Sequence, residues 1–151
     1  MLHRTKLTGI DQIFPFAKKG IVVTISYHDD EITVWNLEEP EKAPWVLPRN
    51  QEYVAYMAYD EKNQKLYTCS YENEIRIWDL NNPTQGAKVL KEFQPQMIEL
   101  ALAPNGWLYA ATSEQLMAWD SAKESLAPTS IPIDGDSPNK LLLHPTNPNL
   151  L

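Results

Sequence analysis

Leu66-Tyr67-Thr68-Cys69-Ser70-Tyr71-Glu72-Asn73-Glu74-Ile75-Arg76-Ile77-Trp78-Asp79-Leu80 is the stretch that decides how this chain folds. Leu66 to Tyr71 is rich in aromatic and hydroxyl residues, as strands are. Glu72-Asn73-Glu74 is a tight polar turn, and Ile75 to Leu80 is the next strand. Upstream, Tyr53 to Tyr59 reads as a buried strand, followed by the polar turn Asp60-Glu61-Lys62-Asn63-Gln64. Downstream, Asn81 to Gly86 is a loop of turn formers. Ala87 to Phe93 then gives an outer strand whose Lys88 and Lys91 suit a solvent-facing edge. The spacing predicts four short antiparallel strands in about 40 residues.

The unit recurs. Ile32-Thr33-Val34-Trp35-Asn36-Leu37 and Leu116-Met117-Ala118-Trp119-Asp120-Ser121 repeat the strand that ends at Trp78-Asp79, with 43 residues from Trp35 to Trp78 and 41 from Trp78 to Trp119. A second series keeps step. Val54, Met57 and Tyr59 are repeated 43 residues later by Met97, Leu100 and Leu102, and Leu141 and Leu143 repeat the last two 41 residues further on. Pro104 and Pro145 follow their strands at the same interval. A repeat of about 40–45 residues closing on Trp-Asp is the mark of a four-stranded propeller blade. The fold expected is all-β, a β-propeller of four-stranded antiparallel blades. About three and a half blades are present, with units near 1–40, 41–84, 85–125 and an incomplete 126–151.

On these motifs the chain resembles the WD-repeat family of β-propellers from about Ile10 onward. Pro104-Asn105-Gly106 matches the family's turn between the first two strands of a blade. Other features depart from the pattern. Arg49-Asn50 stands where a Gly-His pair is usual. The acid of the turn before the third strand is matched by Asp29, becomes Glu72 in the second unit, and is missing in the shorter turn Ser113-Glu114-Gln115. The resemblance implies a buried network of His, Asp, a Ser or Thr and the Trp, and here that network is incomplete.

Closed propellers need about four to eight blades. The chain of 151 residues stops at the apolar pair Leu150-Leu151, where the repeat calls for more sequence, so it is expected to be a fragment of a longer propeller, or a half-propeller completed by another chain. Such a ring leaves apolar sheet faces that need a partner. Net charge is −7, which argues against a phosphate-binding surface, so no direct nucleic-acid partner is expected. Lys18-Lys19 reads as a solvated turn before Gly20. Cys69 is the one cysteine, which excludes an internal disulfide, and reads as a small buried thiol. There is neither a run of 18 apolar residues nor a signal-peptide pattern at Met1 to Lys6. No membrane association is expected, and the compartment expected is intracellular, cytoplasm or nucleus.

The histidines His3, His28 and His144 form no close pair. His28-Asp29-Asp30-Glu31 resembles a metal or acid/base cluster, but the repeat explains it as the turn between second and third strands. Ser26, Ser70 and Ser113 lie near equivalent turns and lack a nucleophile motif. Five glycines provide no phosphate-cradling loop. No catalytic residue, metal or cofactor is expected. Trp35, Trp78 and Trp119 recur in register, so they, with Asp79 and Asp120, read as structural repeat residues. Trp107 is expected to be half-buried and Trp45 to pack in an outer strand.

The resemblance implies partner docking on the face that carries the starts of the inner strands. Carried over, the positions before the turns are His28, Tyr71 and Thr112, and those at the strand starts are Gln51, Tyr53, Gln94 and Gln96. The function expected is a non-catalytic protein–protein interaction scaffold that binds a peptide or protein within a larger complex. The alternative is an accessory propeller of a larger enzyme, such as a ligase receptor or a kinase, whose catalytic part lies outside this chain.

Overall fold

The computed structural model describes residues 9–16, 20–28, 31–48, 53–70, 74–92, 97–123 and 128–133. They form three four-stranded antiparallel sheets and, among the described residues, no α-helix. The first sheet holds β1 (Gln12–Phe16), β2 (Ile21–Ser26), β3 (Glu31–Asn36) and β4 (Trp45–Pro48), in that order. The second holds β5 (Val54–Asp60), β6 (Lys65–Ser70), β7 (Glu74–Asp79) and β8 (Lys88–Glu92). The third holds β9 (Met97–Leu102), β10 (Trp107–Thr112), β11 (Gln115–Asp120) and β12 (Thr129–Pro132). Each sheet is a blade in which neighbours in sequence are neighbours in space, so the chain is a partial β-propeller.

The middle blade follows the expected strands to within a residue or two. Glu74 opens β7 instead of ending the turn, and a short 3-10 helix, Pro83–Gln85, sits in the loop of turn formers. Thr129–Pro132 pairs with β11 as the outer strand of the third sheet, as Trp45–Pro48 does with β3 and Lys88–Glu92 with β7. The fourth-unit landmarks Leu141, Leu143 and Pro145 lie outside the described residues.

Two core layers hold the blades together. Ile21, Val23, Ile25, Ile32, Val34 and Leu47 of the first sheet pack against Val54, Met57, Tyr59, Leu66, Trp78 and Leu80 of the second. The other face of the second sheet, with Tyr67, Cys69, Ile75 and Leu90, packs against Leu100, Leu108, Met117 and Trp119 of the third. The second sheet is thus buried on both faces, which is why Leu66 to Ser70 carries no exposed residue.

Trp78 and Trp119 are buried, and Trp35 is partly buried. Trp35 and Trp78 donate their indole N–H to Thr24 Oγ1 at 2.9 Å and Thr68 Oγ1 at 3.0 Å, one strand away. The same position in the third blade is Ala110, two residues after the Trp119 partner Leu108, so this bond cannot recur there. The Trp series is therefore a packing series, and the Thr–Trp pair is the part of the resemblance-implied network present in two blades. Trp45 and Trp107 are partly buried, Trp45 packing against the first core layer.

Asp79 and Asp120, each after its Trp, fix the turns that follow. Asp79 accepts the Asn81 N–H at 2.9 Å and Asn82 Nδ2 at 3.1 Å. Asp120 accepts the Ala122 N–H at 3.1 Å and pairs with Lys123. These are Asx-type turns, in which a short carboxylate stands in for a backbone acceptor. The hydrogen bonds from Asn82 and Asn81 hold the Asp79 carboxyl below the usual carboxylate range.

Candidate functional site

The inner strands of the second and third blades each carry a bulge at the end where they begin. Ala55 is the extra residue between the pairs Val54–Ser70 and Tyr56–Cys69, and Ile98 the extra residue between the pairs Thr112–Met97 and Ala111–Glu99. A bulge bends its strand and re-aims the residues beside it. Tyr53, immediately before β5, has φ 42°, a region that side chains with a Cβ seldom occupy. Its ring is 60% exposed. It nevertheless packs against Tyr27, at the end of β2, with ring centroids 5.5 Å apart and planes tilted by 49°.

Tyr27 is anchored from behind. Its N–H donates to Asp11 Oδ2 at 2.7 Å, and the Asp11 N–H donates to Ile25 O at 2.9 Å. Of the positions read from the sequence, Tyr53 makes this ring contact, and His28 is exposed in the turn after Tyr27. Tyr27 was missed because the repeat selects the residue next to the turn acid, whereas the ring contact crosses from one blade to the next.

Thr112 is placed otherwise than the resemblance implied. It is fully buried, and its hydroxyl accepts the Glu114 and Gln115 N–H groups at 3.3 and 3.1 Å while facing Gln115 O at 3.2 Å. The turn here is one residue shorter, so the threonine side chain takes over the turn's hydrogen bonds and is unavailable to a partner. Gln51, Tyr71, Gln94 and Gln96 lie outside the described residues.

Burial pushes the Cys69 thiol up to about 12, aided by the charge of Glu74. A buried thiol with that acidity is inert as a nucleophile. Among the described residues, no three His, Cys, Asp or Glu side chains converge as metal ligands, and no helix is long and apolar enough to cross a membrane.

The bladed architecture defines a partial β-propeller, and comparison with known proteins agrees with that class. A WD40 repeat-containing protein of Dictyostelium discoideum is 29% identical over 62 residues, 40% of this chain and 9% of that protein. The Denticleless protein homolog of Danio rerio is 30% identical over 59 residues, 38% of this chain and 9% of that protein. The chain thus matches under a tenth of the length of these curated relatives. Among solved structures, the propeller U3-55K superposes with a TM-score of 0.64 at 16% identity, over 89% of this chain and 42% of that one. No protein-family model matches the chain. Its resemblance to the WD-repeat family is carried by both sequence and fold. WD40 repeat proteins are generally non-catalytic, and their propellers generally bind protein partners.

Proposed function

We propose that this chain is a non-catalytic interaction module that holds a peptide or protein on the face carrying the Tyr27–Tyr53 pair. The observation that carries this reading is the exposed Tyr53 ring, kept at positive φ and braced by a second tyrosine. Backbone strain at an exposed aromatic makes sense when the aromatic is presented for contact. Tyrosine buries a large area while keeping a polar tip, and it loses little conformational freedom on binding. His28 adds a donor or acceptor beside the rings. The acidic chain favours a partner of neutral or basic surface over nucleic acid.

The test is capture of partners on the immobilised full chain, comparing it with Tyr53→Ala and with Tyr53→Ala combined with His28→Ala. Recovery of the module's partner should fall about tenfold or more, as for loss of an aromatic hot spot. Unchanged recovery removes this face from consideration. A second reading makes the module an accessory propeller of a larger enzyme, such as a ligase receptor or a kinase, whose catalytic part lies outside this chain. Reading the complete open reading frame separates the two.

A further inference from the structure

The opposite end of the blades holds a concavity. A cleft of about 230 Å³ opens between the second and third sheets, where Lys65 and Asp79 pair at the end of the second sheet remote from Tyr53. Its floor is apolar, made by Leu90 of β8, Leu108 of β10 and Trp119 of β11. Gly86, with φ 75° and open space where a Cβ would stand, leaves one lip low. The volume is below the roughly 300–1,000 Å³ of clefts that enclose whole small molecules. It suits one large side chain.

The charge on the rim gives the rest. Lys65, Lys88 and Lys123 line the cleft with Asp79 and Asp120. Both aspartates are committed to their own turns, and Asp120 already neutralises Lys123 at 3.2 Å. Among the described residues, Lys65 and Lys88 make no salt bridge. Besides the Asn82 and Asn81 hydrogen bonds, Lys65 acts on Asp79 and helps to lower its carboxyl. Lys88 has no described carboxylate partner, so a chain of net charge −7 presents three ammonium groups against two carboxylates around one apolar slot.

We propose that this inter-blade cleft is a second docking site, which takes a linear peptide bearing one large aliphatic or aromatic side chain flanked by carboxylates. The side chain enters over Leu90, Leu108 and Trp119, and the carboxylates meet Lys65 and Lys88. The site shares with the proposed function only the premise that the chain binds peptides, and it uses none of the Tyr53 rim.

The test is fluorescence anisotropy on the full chain with a short fluorescein-labelled peptide carrying one leucine between glutamates. Binding should weaken about tenfold or more when the leucine is changed to glycine, when the glutamates are changed to glutamine, and in Lys65→Glu combined with Lys88→Glu. The charge-keeping pair Lys65→Arg and Lys88→Arg should bind as the parent does, and so should Tyr53→Ala. In the unmodified protein, peptide should shift the Gly86 amide and Trp119 indole resonances. Absence of binding, equal affinity for the control peptides, or shifts confined to Tyr27 and Tyr53 would overturn the site. Loss of the Tyr53-dependent partner alone would bear only on the other face.

Discussion

Trp78 and Thr68 show how closely a single hydrogen bond is tied to burial in this protein. The Trp78 ring is fully enclosed between the first two sheets, so its N–H has Thr68 Oγ1 as its acceptor and no route to bulk water. Thr68→Val keeps the shape and removes the acceptor. It should cost about 1–3 kcal/mol in urea unfolding, the cost of a buried donor left without a partner. Thr24→Val should cost less, because Trp35 is only partly buried and water can replace the hydroxyl. The buried thiol and phenol give a pH prediction. Burial raises Tyr67 from 10 to about 12, as it does Cys69 from 9 to about 12. Both groups bind their protons more tightly in the folded chain. Their contribution is complete below pH 9 and is lost as pH rises through 9 to 12. Melting temperature should therefore fall across that window, and Cys69 should resist alkylation at pH 8 until denaturant is added.

The elements are joined by turns, and a buried polar link ties the second blade to the third. Gly106 has φ 88°, its N–H donates to Ala103 O at 2.9 Å, and its own carbonyl accepts the Ser121 N–H at 2.9 Å. Gly106→Ala forces a Cβ into the left-handed region and should cost about 1–2 kcal/mol in thermal or urea unfolding. The Ser121 hydroxyl, from the third blade, donates to Asp60 Oδ2 of the second at 3.1 Å, and Asn63 holds the same carboxylate at 2.7 Å. Tyr67 also bonds Ser121. A double-mutant cycle of Asp60→Ala and Ser121→Ala should show a coupling of about 1–2 kcal/mol, whereas additive effects would mean that the blades are joined by apolar packing alone. At this scale much was readable in advance. The period, the polar turns and the Pro104-Asn105-Gly106 turn are local, and each forces a chain reversal whatever surrounds it. The 3-10 turn at Pro83–Gln85 was not, because it depends on what lies beside it.

Across the whole molecule, the first sheet has a face built like a covered one and left open. Trp78, Leu80 and Met57 face the first sheet, and Leu80 and Met57 are 2% and 9% exposed. Their equivalents on the first sheet are Trp35, Leu37 and Ile13, and Leu37 and Ile13 are 51% and 59% exposed. No described sheet lies against them. Kept alone in solution, these 151 residues should self-associate with rising concentration in sedimentation velocity. Ile13→Lys with Leu37→Lys should reduce that association. Monomeric behaviour of the parent at high concentration would count against an exposed blade face.

The division between sequence and tertiary structure follows from the range of the forces. The Trp35, Trp78 and Trp119 series, the strands and the turns follow from the sequence alone, because side-chain alternation and turn chemistry act within a few residues. Burial of Thr112, the Tyr27–Tyr53 contact, the Asp60–Ser121 link and the lysine-rimmed cleft were decided only when blades met. Each joins residues that are remote in the repeat or replaces a solvent contact with a protein one. A repeat specifies every blade alike, and its functional differences arise where one blade touches the next.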